Sequence, residues 1–187
     1  SEFKRLNDIG VRGARFSFLF SGCLTYEELD PVANRIADFN WHAQLQLDGN
    51  ELPLLERQLK ALPVPIVIDH LGRIPVTGSI NSDGHSALYR LLDNGKCWVK
   101  LSAPYHVSKD TTGNCSDIAP LARYLIANYP DRLLWGSNWP HPNALSNPPD
   151  DKRLLQLFCE WCASDKIVHQ ILVENPERLY DFAQVAE

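Results

Sequence analysis

The side chains able to do chemistry fall into short clusters along this sequence. Arg15 stands alone in Gly-Ala-Arg-Phe-Ser-Phe, and Gln44 and Gln46 alternate in His-Ala-Gln-Leu-Gln-Leu. Asp69 and His70 follow an apolar run, Lys100 leads to Ser102, Tyr105 and His106, and Asn138, Trp139, His141 and Asn143 close the series. Arginine and lysine can hold an anion, bidentately in the case of arginine. Histidine can polarise a carbonyl, move a proton or ligate a metal. The set suits a polar small-molecule site and does not by itself name a reaction.

Each residue also has a plainer role open to it. Arg15 could pair with a surface carboxylate, and His70 could be a core histidine bonded to a backbone carbonyl. Asp69 could cap its loop. Lys100 could belong to a buried ion pair, and Tyr105 could be packing with a tethered hydroxyl. His42, beside Trp41, reads as structural. Cys159 and Cys162 form one C-x-x-C without a second ligand pair, a spacing that also serves cysteines facing a core.

The elements that must position these groups alternate strand and helix. Strands are expected at Gly13–Phe18, His42–Leu47, Pro65–Asp69, Cys97–Leu101 and from Leu133. Between them, Thr25 and Glu28 form a capping box for a helix to about Asn40. Leu52, Leu55, Leu59 and Leu62 mark a second helix, and Leu88, Leu91 and Leu92 a third, ended by Gly95. Ser116 is expected to cap a helix carrying Leu121, Leu125, Ile126 and Tyr129. Helices follow over about Asp151–Ala163, Asp165–Glu174 and Pro176–Phe182, the last with Asn175 as cap and Pro176 at its first position. Ser1–Gly10 reads as a helix end, with Phe3, Leu6 and Ile9 on one face and Gly10 as the stop.

Such alternation implies a parallel sheet, either open and doubly wound or five units of an eightfold barrel of roughly 250 residues. No Gly-x-Gly-x-x-Gly or P-loop follows a strand, which removes the usual nucleotide-binding sheet. In both architectures functional groups gather where the strands end, as these clusters do.

Composition sets the outer bounds. The 187 residues are 44% apolar and 22% charged, with a formal charge of −5 and no basic patch, so nucleic acid is not an expected partner. No apolar run reaches the roughly 20 residues of a membrane span. Five cysteines, an odd number, fit reduced thiols and a cytoplasmic location better than a disulfide framework.

Trp135-Gly-Ser-Asn-Trp-Pro-His141 makes the reading specific. It resembles the eighth-strand signature of the amidohydrolase-related barrels that include 2-pyrone-4,6-dicarboxylate lactonases and sugar lactonases. Gly10–Phe16 resembles the fourth strand of that family and Val67–Gly72 the sixth. Trp98–Tyr105 resembles the seventh, and Glu174–Tyr180 the closing helix. The resemblance implies a (β/α)8 TIM barrel of the metal-dependent hydrolase type, represented by strands four to eight in one domain over residues 1–187. It implies hydrolysis of a lactone or related acyl bond of a small carboxylate- or hydroxyl-bearing ring. His70 would polarise the carbonyl or ligate a metal, and Arg15, Tyr105, His106 and Lys100 would bind substrate. Asn138 and His141 would stand at the catalytic end. Members work without a cofactor or with one divalent metal, zinc or manganese, for which His70 is the candidate ligand here.

Three departures qualify the resemblance. The first-strand His-x-His pair and strands one to three are absent. Position 138 is Asn where the family's base is Asp, and a carboxamide cannot take a proton from water. His141 is then the substitute base, and weak activity is expected. Position 106 is His where dicarboxylate-cleaving relatives have Arg. A non-catalytic barrel-derived binding or assembly protein, forming a homo-oligomer through unpaired strand edges, is the rival reading.

Overall fold

A strand of a parallel sheet covered on one face must send apolar side chains to that face at every second residue. The sequence does so five times. The computed structural model describes residues 2–182 apart from 21, 22 and 77. In it the strands are β1 (Gly13–Ser17), β2 (His42–Gln46), β3 (Ile66–Ile68), β4 (Cys97–Ser102) and β5 (Leu133–Gly136). All pair in parallel, in the order β1-β2-β3-β4-β5. A doubly wound sheet reverses its order at a switch point; this one never does, so it is an arc of barrel.

The helices are α1 (Glu2–Asp8), α2 (Tyr26–Ala37), α3 (Leu52–Ala61), α4 (Asp83–Asp93), α5 (Ala119–Asn128), α6 (Asp151–Trp161), α7 (Asp165–His169) and α8 (Asn175–Tyr180). Phe16, Leu45, Ile68, Val99, Leu101 and Leu133 point from the sheet into the helix layer and are buried there with Leu29, Leu88, Leu125 and Phe158. Each such side chain contributes about 1.5–3 kcal/mol by leaving water. Arg15, Gln44, Val67, Trp98, Lys100 and Leu134 alternate with them and face the other way. Val67, Trp98 and Leu134 make a second, small apolar cluster there under Leu179 and Tyr180 of α8. The guanidinium carbons of Arg132 and Arg178 lie 5.3 and 4.9 Å from the Trp98 ring centre. The polar members of that face are left to build a site. Among the described residues no helix is long and apolar enough to cross a membrane.

Most expected elements are found within a residue or two, including the Thr25 cap, whose N–H donates to Glu28 at 2.8 Å. Three differ. Ser116 does not cap α5, because its hydroxyl and N–H both donate to Asp110, at 2.6 and 2.9 Å. The helix begins at Ala119 instead, with Pro120 in the first turn where no N–H is needed. Asn175 is not a cap either: helix runs without a break from Asp165 to Tyr180 through a π turn at Gln170–Glu174. Pro176 has no N–H to donate, and a widened turn accommodates that gap. The Asn175 amide instead donates to the carbonyls of Pro130 and Leu133, both at 2.7 Å, tying α8 to the start of β5. Finally, Ile9 is 67% exposed, because α1 stops at Asp8 and Gly10 (φ +98°) turns the chain away. The expected start of α1 at Ser1 lies outside the described residues.

Candidate active site

Asp69 is the hub of the inner face. Its side chain is 1% exposed. Arg15 donates to it through Nε at 3.1 Å and Nη2 at 3.0 Å, and Gln44 through Nε2 at 3.0 and 3.2 Å. Lys100 lies 4.0 Å from the same carboxylate and donates to Gln44 Oε1 at 3.1 Å. The register makes these contacts, since Arg15 pairs with Gln44 and Gln44 with Val67, two residues before Asp69. Two cations and one carboxylate leave this group with one net positive charge. Burial lowers the ammonium pKa of Lys100, the Asp69 charge opposes that, and the Arg15 charge adds to it.

Above the hub the backbone is strained. His70, Leu71, Arg73, Ala103, Asn138 and His141 all have φ between +45° and +73°. The left-handed region costs a non-glycine residue about 1 kcal/mol or more, and such residues concentrate where side chains must be aimed. His70 is buried and its Nδ1 lies 2.9 Å from Ser102 Oγ. Burial pushes the His70 pKa down to about 4, so the ring is neutral near neutral pH. In the tautomer in which the serine hydroxyl donates to Nδ1, Nε2 carries the proton.

A second chain of contacts runs behind. Asn138 Nδ2 donates to Tyr105 Oη at 2.9 Å and approaches His106 Nε2 at 3.5 Å. Tyr105 Oη lies 2.8 Å from His141 Nδ1, and His141 Nε2 lies 3.0 Å from Asp151. Burial raises the Tyr105 pKa, so its O–H remains a donor. His106 is pushed down to about 4 by burial, then by the charge of Arg73, and remains an acceptor for the Asn138 amide.

Arg15, Lys100, His70 and Asn138 line one cleft of about 390 Å³, with Ser102 and Asp69 in its wall and the 76%-exposed Trp139 at its rim. The other three expected residues do not line it. Tyr105 and His141 stand behind Asn138. His141 is 3% exposed with both ring nitrogens engaged, so it does not reach the cleft as a base. His106 borders a neighbouring cavity of about 290 Å³ together with Arg73 and Lys109.

Sequence reasoning missed Arg73 and Asp151 and placed Asp69 among the strand-end candidates with a loop cap as its plainer role, a cap bond its side chain does not make. Arg73 Nη1 is a buried donor without a hydrogen-bond partner among the described residues, and its sequence signal was its place in Asp-His-Leu-Gly-Arg. Asp151 gave no signal, being an ordinary acidic residue at a helix start. Cys162 is half-buried and packs against the core as expected, whereas Cys159 is exposed. Among the described residues no group of three or more His, Cys, Asp or Glu is placed to hold a metal around His70.

The histidines give a stability prediction. His42 and His70 are both pushed down to about 4, mainly by burial. Between that value and about 6.5 the unfolded chain binds more protons, so their contribution is full above about pH 6.5 and declines as the pH falls. The urea midpoint should fall from about pH 7 to about pH 5.5, above the carboxylate range. Equal midpoints would contradict the burial of neutral histidines.

The sequence and the fold both have relatives. The amidohydrolase family model matches residues 2–182. The 2-pyrone-4,6-dicarboxylate hydrolase of Comamonas testosteroni is 34% identical over 190 residues, covering 96% of this chain and 62% of that protein. The D-galactarolactone isomerase of Agrobacterium fabrum is 34% identical over 188 residues, covering 98% and 63%. A crystal structure of an Agrobacterium tumefaciens protein superposes with a TM-score of 0.90 at 33% identity, over 98% of this chain and 65% of that one. The chain thus spans a little under two thirds of the length of these relatives. A barrel arc of five parallel strands, a polar site at the strand ends and a match over nearly every described residue place this chain in the amidohydrolase family.

Proposed function

We propose that the protein is a hydrolase that opens a lactone or related acyl bond in a small ring bearing a carboxylate or hydroxyl. The observation that carries this reading is the neutral, buried His70 facing the same cleft as the net-positive Arg15–Lys100–Asp69 group. One substrate carboxylate would balance the excess charge. The ring carbonyl would then accept a hydrogen bond from His70 Nε2–H, held in that tautomer by Ser102. Water adds to the carbonyl carbon, the acyl C–O bond breaks, and the products are a carboxylate and an alcohol that takes up a proton. Similarity to one lactone-ring hydrolase and one lactone isomerase supports a lactone substrate.

The test is turnover of 2-pyrone-4,6-dicarboxylate and D-galactarolactone by the intact protein. His70→Ala should lower kcat by about 10²–10³, the usual loss when one donor to a developing oxyanion is removed, with little change in KM. Lys100→Ala should mainly raise KM for substrates carrying a carboxylate. Undiminished turnover in His70→Ala would overturn the assignment.

Asn138 favours a second reading, a barrel-derived binding or assembly protein without catalysis, because it cannot act as a base. That reading requires the lactones to bind without ring opening, or a solution mass that is a multiple of the chain with no ligand bound.

A further inference from the structure

We infer that Asp151 is a positioning residue: its carboxylate sets the direction of a hydrogen-bond chain that turns the carbonyl oxygen of Asn138 into the cleft, as an acceptor for water or a substrate hydroxyl. The inference rests on the hydrolase reading for its use, though not for its geometry.

The direction follows step by step. A carboxylate only accepts, so at 3.0 Å from Asp151 the His141 Nε2 must carry the proton. On its other side Nδ1 meets the Tyr105 O–H at 2.8 Å, and Tyr105 Oη, accepting from the Asn138 amide, has that proton to give to the ring. With its one proton committed to His141, Tyr105 Oη can only accept from Asn138, 2.9 Å away. Asn138 must therefore present its NH2 to Tyr105. His106 Nε2, 3.5 Å from the same nitrogen, favours the same orientation. Among the described residues the other end of the amide, Oδ1, meets no hydrogen-bond donor and is not buried, and Asn138 lines the cleft.

Reverse any link and the amide loses its reason to point this way. An NH2 group in the cleft would repel the protons of an attacking water, whereas Oδ1 accepts one of them and aims an oxygen lone pair at the carbonyl. Asp151 does this from outside the cleft. Its side chain is 46% exposed, while the histidine between it and the tyrosine is 3% exposed. The chain thus explains why an amide that cannot take a proton is held by Tyr105 and His106, with His141 and Asp151 behind the tyrosine.

The test uses the intact protein and two variants. Nitrogen-15 NMR of histidine side chains should show His141 as the Nε2–H tautomer. Asp151→Ala should leave a mixture of tautomers and lower kcat for 2-pyrone-4,6-dicarboxylate by about tenfold to a hundredfold, with KM changed less than about twofold, as expected for misaimed rather than lost binding groups. Asp151→Asn, whose Oδ1 still accepts, should keep the tautomer and most of the rate. An Nδ1–H tautomer in the unaltered protein, or an Asp151→Ala protein with unchanged tautomer and kcat, would overturn the inference. If the unaltered protein opens no lactone, the hydrolase reading fails while the tautomer measurement still decides the direction of the chain.

Discussion

Replacing Asn138 by aspartate is expected to raise kcat for lactone opening by about 10²–10⁴, the usual worth of a positioned general base. Around the cleft, His70 is held neutral and serves as a hydrogen-bond donor, and His141 has both nitrogens engaged behind the wall. Arg15 and Lys100 are cations or their partners, and Asn138 is a carboxamide. No side chain lining the cleft is placed to take the proton of an attacking water except the buried Asp69, which is saturated by Arg15 and Gln44. A carboxylate at position 138 would supply that acceptor, while giving up the amide's donation to Tyr105 and His106. The residue sits at φ +73°, a conformation that aspartate tolerates as asparagine does. Tyr105 O–H would then turn to the carboxylate and leave His141 Nδ1 without its donor, a loss the new base is expected to outweigh. KM should change little, because the anion-binding group is untouched. A folded Asn138→Asp protein with unchanged or lower kcat would mean that proton removal does not limit the rate.

The second large effect falls on stability. Asp69→Ala should cost about 2–4 kcal/mol, less than the full loss for a wholly buried ion pair because Arg15 is half exposed. The substitution leaves Arg15 and Lys100 facing one another, and removes the acceptor for four hydrogen bonds at 3.0–3.2 Å. It should also deepen the lowering of the Lys100 pKa, since the Asp69 charge now opposes it. Urea unfolding checks the first expectation. A loss below about 1 kcal/mol would show that the hub is a surface-like pair of little worth.

The parts of the fold that were legible in the sequence are those with a period. Phe16, Leu45 and Val99 alternate with Arg15, Gln44 and Lys100, and that alternation alone gives strands with an apolar and a polar face. Strand ends were legible as the place to look, and four of the seven expected site residues line one cleft. What one-dimensional spacing cannot hold is which tip meets which. Asp69 becomes a hub only through its register with Arg15 and Gln44, 54 and 25 residues away. His141 is engaged by Tyr105 and by Asp151, ten residues on, instead of lining the cleft. Ser116 and Asn175 carried good capping signals, but a stronger local acceptor at Asp110 and the carbonyls of Pro130 and Leu133 took their polar groups instead. The choice between barrel and open sheet also needed strand order, which periodicity does not carry.

The central claim is that the tips of β1, β3, β4 and β5 act on one ring. A crystal structure of the intact protein with a non-hydrolysable, carboxylate-bearing lactone analogue tests it most directly. The expected result is the analogue in the cleft, its carbonyl oxygen within hydrogen-bond distance of His70 Nε2 and its carboxylate on Lys100 or Arg15. An analogue seated elsewhere, or in the cleft with its carbonyl away from His70, would contradict it.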